Sequence, residues 1–130
     1  MENEKGIITL ASPYPVKETI DRLENLLCTK GATIFARIDQ RAAARQAGLE
    51  MPPTELLLFG NPKAGTALML AKPLSGIDLP LKALAWQDKD GKSWLSYNSF
   101  GYLQQRFALP DDLIHPIAAV EGLLKAAVAS

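Results

Sequence analysis

The chain has 130 residues, 48% of them hydrophobic and 22% charged, a composition that excludes disorder and gives enough apolar material for one domain with a real core. Fourteen basic residues balance fourteen acidic ones, and no segment gathers Lys and Arg on one face, so the electrostatic footprint of a general nucleic-acid binder is missing. One cysteine, Cys28, and no apolar run near the ~20 residues that span a bilayer lead us to expect a cytoplasmic protein without membrane segments.

Residues 6–11 (Gly-Ile-Ile-Thr-Leu-Ala) are β-branched and bounded by turn formers, which predicts a strand. Ser12-Pro13-Tyr14-Pro15 breaks it and starts a helix, with Pro15 suited to the first helical position. Val16, Ile20, Leu23 and Leu27 recur at helical spacing, and Gly31 is a good stop. Cys28 falls in the last helical turn, one position beyond this stripe, and reads as a partly buried small residue.

Residues 32–39 alternate Ile34, Ala36 and Ile38 against Thr33, Phe35 and Arg37, a second strand with unequal faces. The Ala-rich run 40–48 reads as a short helix or helical turn ending at Gly48. In residues 54–60, Leu56 to Phe59 are apolar without alternation, which predicts a strand covered on both faces. Asn61-Pro62 then reads as an N-cap and first helical residue, opening a helix through Ala71 that Pro73 ends.

Residues 82–88 and 93–98 form a predicted hairpin across Lys89-Asp90-Gly91, where Gly91 supplies positive φ. Helices over 99–108 and 111–129 complete the chain, the last with Leu113, Ile117, Val120 and Leu124 as its buried stripe. His115, two residues from Leu113 and from Ile117, falls on the polar side of that helix.

Several spaced motifs resemble the uncharacterised bacterial and archaeal family called domain of unknown function 302. They are Leu57-Leu58-Phe59-Gly60-Asn61-Pro62, Gly65-Thr66, Asp78-Leu79-Pro80-Leu81, Trp86, Trp94-Leu95-Ser96-Tyr97-Asn98 and the C-terminal helix. The resemblance implies an α+β fold, TATA-binding-protein-like, with a curved, mostly antiparallel sheet of about five strands and helices on one face, in the order β-α-β4-α. It also implies a homodimer. The family carries no established activity, so the resemblance constrains fold far more than function.

The segment from Gly60 to Thr66 is the leading candidate site. If Asn61 caps a helix, the following amides with Lys63, Gly65 and Thr66 make a place for a carboxylate or phosphate. The competing reading is a bare helix start, since the spacing is neither that of a P-loop nor of a dinucleotide fold. Asp78 lies in apolar company and reads either as a ligand-orienting acid or as a cap on crossover amides. Tyr97 joins these as a further candidate ligand contact. His115 is the sole histidine, so no multi-histidine metal site is expected, and no cofactor is implied.

Phe35, Trp86 and Trp94 sit on predicted strands, and the two tryptophans are placed to face each other across the hairpin. On an uncovered sheet face they would need a second subunit or an apolar ligand over them. The favoured expectation is a homodimeric, non-catalytic module that binds a small, partly apolar ligand. One alternative is an enzyme with a dispersed polar site around Asn61, Thr66, Asp78 and Tyr97. Another is a protein-interaction accessory module that adds a strand at an exposed edge.

Overall fold

Proline and glycine divide the chain close to the predicted points, and the segments between them build one antiparallel sheet. The computed structural model describes residues 4–130. The strands are β1 (Ile7–Ser12), β2 (Thr33–Asp39), β3 (Thr54–Gly60), β4 (Leu81–Gln87) and β5 (Ser93–Asn98). The α-helices are α1 (Val16–Thr29), α2 (Gln40–Gln46), α3 (Pro62–Ala71), α4 (Phe100–Phe107), α5 (Asp111–Ala118) and α6 (Glu121–Ala127). A 3-10 turn at Pro73–Asp78 leads into β4.

Strand order is β1-β5-β4-β3-β2, every pair antiparallel, with β1 and β2 at the edges. The sheet does not close. Along β3, β4 and β5, burial alternates with period two, so Leu57, Phe59, Leu81, Ala83, Ala85, Leu95 and Tyr97 face one way. The apolar stripe of α1 lies against them: Val16, Ile20, Leu23 and Leu27 are all buried, as predicted, and Thr19 joins them. Thr19 is tolerated there because its hydroxyl bonds Ser12 Oγ at 2.6 Å and the Pro15 carbonyl at 3.0 Å. Each fully buried Leu or Ile contributes about 1.5–3 kcal/mol.

The turn before α1 and α1 itself meet the last residues of α6 and beyond. Tyr14 donates its hydroxyl to the Ala129 carbonyl at 2.8 Å, and Arg22 Nε donates to the Ala127 carbonyl at 2.9 Å. Arg37 on β2 ties sheet to helix by pairing with Glu55 (2.8 Å), Asp21 (2.7 Å) and Glu24 (3.4 Å).

Several local expectations need correction. Pro15 is the N-cap, with ψ of 159°, and Val16 is the first helical residue, because the Pro15 carbonyl already accepts from Thr19 N. Cys28 is exposed, since it turns off the buried stripe at the end of α1. A bulge between Ile34 and Ala36 breaks the alternation of β2. It leaves Ile34 and Arg37 paired with the inward Phe59 and Leu57, while Ala36 and Ile38 turn outward. β3 is covered on one face only, with Leu56 and Leu58 half-buried on the other. The predicted last helix is two, broken after Ala118, and its buried residues are Ile114, Ile117, Leu124 and Ala127. Leu113 and Val120 are only half-buried. His115 is exposed, as expected.

Candidate functional site

Four chain segments converge at one end of the sheet: the α1–β2 turn, the β3–α3 turn, the entry to β4 and the α5–α6 junction. Gly31 permits the first of these. Its φ of +79° lets the chain turn out of α1, so that Ala32 N bonds back to the Leu27 carbonyl at 3.0 Å. At the second, Asn61 Oδ1 accepts from Lys63 N at 3.0 Å and Ala64 N at 3.3 Å, and Pro62 takes the first helical position. At the fourth, Pro116 interrupts the amide ladder of α5, and the chain bends before α6.

Between these segments lie two adjoining lobes that share Gly60, Asn61, Leu81 and Ile117. The first, about 320 Å³, is walled by Phe59, Val120 and Leu123, with Lys30 at its rim. The second, about 380 Å³, is walled by Phe35, Met69, Leu79 and Pro80, with Thr66 as its hydroxyl. Both fall at the lower end of ligand-pocket sizes; the second is almost wholly apolar, whereas the first also exposes a sizeable polar share. Lys30 is the sole ionisable side chain in the combined lining, and it has no ion pair with any described residue.

The candidates named from sequence divide. Asn61, Gly65 and Thr66 come together at this cleft. Gly65 is buried, and a Cβ there would stand 3.8 Å from Leu79 Cδ1, so a methyl would fit at the cost of cleft volume. Lys63 is exposed and lines neither lobe. Asp78 lies on a separate void of about 10 Å³, and its carboxylate accepts from Arg106 Nη1 at 2.8 Å. Tyr97 is 4% exposed and donates to Glu121 Oε2 at 2.7 Å. Burial, then that hydrogen bond, push its phenol above the usual value of 10. Asp78 and Tyr97 are thus engaged away from Asn61 and Thr66. Sequence reasoning missed Lys30, Ile117, Val120 and Leu123, although Gly31 and the break near Pro116 mark the turns that bring them in.

A second surface is the sheet face turned away from α1. Trp86 and Trp94 are direct register partners, stacked with ring centroids 6.2 Å apart and planes at 25°. Their indole nitrogens are satisfied: Trp86 donates to Ser96 Oγ and Trp94 to Asp88 Oδ2, each at 2.9 Å. The Trp94 indole, with the Lys92 and Asp90 amides, holds the Asp88 carboxyl below its ordinary range. Leu56, Leu58, Leu84 and Ile38 extend the apolar surface around this pair. Phe35 departs from the expected trio, because the β2 bulge carries it into the second lobe of the cleft.

A third feature is an apolar ridge at the end of α3 and the following 3-10 turn, where Leu70, Leu74 and Ile77 are 80%, 71% and 70% exposed. Among the described residues no three His, Cys, Asp or Glu side chains form a metal-holding group, and no helix is long and apolar enough to cross a membrane.

Comparison with known proteins adds four findings. A family model described as Domain of unknown function DUF302 matches residues 8–130. A protein named "Fluoride-specific ion channel FluC 1" from Brucella suis biovar 1 (strain 1330) is 46% identical over 106 residues, which is 82% of this chain and 42% of that protein. The protein of the same name from Brucella abortus biovar 1 (strain 9-941) is also 46% identical over 106 residues, covering 82% of this chain and 39% of the relative. The chain therefore spans about two-fifths of the length of these relatives. A crystal structure of an uncharacterized conserved DUF302 protein from Bacillus stearothermophilus superposes with a TM-score of 0.77 at 22% identity, over 95% of this chain and 96% of that one. At that identity the likeness speaks to the fold.

Proposed function

The chain belongs to the family Domain of unknown function DUF302, and from that premise we propose that it is a non-catalytic homodimeric domain whose cleft takes a small, partly apolar ligand. The observation that carries this reading is the pair of adjoining apolar lobes around Asn61 and Ile117. A catalytic reading has less support, because Asp78 and Tyr97 are each engaged with another side chain away from the cleft. Dimerisation is supported by the Trp86–Trp94 face, which leaves one side of β3 uncovered within a single chain. A lone free thiol, Cys28, suits a reducing cytoplasmic setting.

The test is sedimentation at micromolar concentration together with titration of 1-anilinonaphthalene-8-sulfonate followed by fluorescence. We expect a dimer, and dye binding that Leu123→Trp abolishes by filling the first lobe. A monomer would remove the dimer half of the reading, and dye binding unchanged by Leu123→Trp would remove the ligand half.

A second reading is favoured by the Brucella relatives: the domain works as an accessory to a fluoride-specific channel. The unmatched remainder of those relatives would then carry the membrane-spanning part, and the ridge of Leu70, Leu74 and Ile77 would supply a contact surface. Fluoride release from loaded vesicles containing the Brucella suis protein, with and without its matching segment, tests this. Identical release in both cases would rule the reading out.

A further inference from the structure

We propose that the cleft selects a monocarboxylate with a slender apolar tail, its head held by the Lys30 ammonium and the Asn61 amide. The inference rests on the reading of the cleft as a ligand site and names the class of ligand.

The polar side chains of the first lobe, Lys30 and Asn61, are one-sided. Lys30 offers three donors and no acceptor, and no acidic side chain lines either lobe. Asn61 is also committed as a donor. Its Oδ1 is occupied by the Lys63 and Ala64 amides, which fixes the side chain and leaves the NH₂ as the group free to meet a ligand. That NH₂ has no hydrogen-bond partner among the described residues. Both residues line the first lobe. Two donor groups and a fixed positive charge suit the two oxygens of a carboxylate, and charge-assisted bonds of this kind are about twice as strong as neutral ones. An ammonium ligand would meet Lys30 with no acid to offset it, so amines are disfavoured.

The rest of the wall decides the tail. The side chains of Phe59, Leu81, Ile117, Val120 and Leu123 along the first lobe are all hydrocarbon, and the apolar side chains of Met69, Leu79 and Pro80 continue the wall into the second. Each lobe has room for roughly ten non-hydrogen atoms, at the ~30 Å³ one water molecule takes in the liquid. An eight-carbon acid fills one lobe, and a longer tail reaches the second past Ile117.

Calorimetric titration of the full chain with octanoate, octanol and octylamine at pH 7 tests the assignment. We expect octanoate to bind at least about tenfold more tightly than octanol, and octylamine not to bind measurably. Lys30 is exposed at the end of α1, so its substitution leaves the core intact. Lys30→Gln should bring octanoate to the level of octanol, whereas Lys30→Arg keeps most of the preference. Equal binding of acid and alcohol, or a preference that survives Lys30→Gln, would overturn the head-group assignment while leaving the cleft a ligand site. Failure of all three compounds to bind would overturn both. Octanoate binding that persists in Leu123→Trp, checked for folding by its thermal transition, would place the acid elsewhere and also overturn the proposal.

Discussion

Tyr97 donates its phenolic hydrogen to Glu121 Oε2 at 2.7 Å, which ties β5 to the terminal helix α6 across the core. Because burial and this bond raise the phenol's pKa in the folded state, the folded chain holds that proton more tightly than the unfolded one. The stabilisation is therefore complete below the unfolded value near 10 and declines as pH rises beyond it. Thermal unfolding followed from pH 8 to 11 should show this decline in the native chain and a weaker one in Tyr97→Phe. At pH 7 the substitution should cost about 0.5–1.5 kcal/mol, the usual net worth of one hydrogen bond. Parallel pH profiles for the two proteins would contradict the coupling.

Arg37 is the hub of a charge cluster that joins β2, β3 and α1. Glu55 is only 9% exposed, so Arg37→Met leaves its carboxylate short of a partner and should cost about 1–3 kcal/mol by denaturant unfolding. Asp21 is held below its ordinary 3.8 by hydrogen bonds from Lys17 first and Arg37 second. A lowered folded-state pKa gives stability that is present above the unfolded value and lost as pH falls below it. The variant should accordingly lose less stability than the native chain between pH 5 and pH 2.5.

Asn61 has a structural duty separable from ligand binding. Asn61→Ala removes the cap of α3 and should destabilise by about 1 kcal/mol. Asn61→Asp keeps an acceptor at the cap and should remain within about 0.5 kcal/mol of the native chain. It also puts a negative charge on the lobe that Lys30 lines and should weaken octanoate binding. Stability lost equally in both variants would argue against the capping role.

Leu84 sits mid-sheet on the Trp86–Trp94 face, opposite Leu56 and Ser96, while Leu57 points into the core and is fully buried. Leu84→Asp should convert the expected dimer to monomer in sedimentation. Leu57→Ala should cost about 2–5 kcal/mol in unfolding yet leave association unchanged. A dimer that persists in Leu84→Asp would mean that the subunits meet elsewhere.

Much of the architecture was legible in the chain because local chemistry dictated it. Asn61-Pro62 capped a helix, Gly91 turned a hairpin, and Val16, Ile20, Leu23 and Leu27 lined one buried stripe. What was not legible came from tertiary placement. The bulge at Ile34/Ala36 has no composition of its own, yet it sends Phe35 to the cleft and Arg37 toward α1. The break after Ala118 was masked by a continuous apolar rhythm, because helices with a bend between them keep a similar period. Of the candidate site, Asn61, Gly65 and Thr66 were found through their turn. Lys30 was missed because a lysine closing a helix looks like any solvated charge until the fold sets it about thirty residues away from its neighbour Asn61 in sequence but on the same rim.

The bond from Tyr14 to Ala129 spans 115 residues of chain, and the edge strand β1 pairs with β5 so that Thr9 and Ser96 meet across 87 residues. Contacts so distant along a polypeptide repay their loop-closure entropy late. The adjacent β4 and β5 are therefore suited to zip first as a seed, with β1 docking as the final step. A transient species lacking β1 would present the free rim of β5 to any passing chain, which makes β1 a guard against mispairing during maturation.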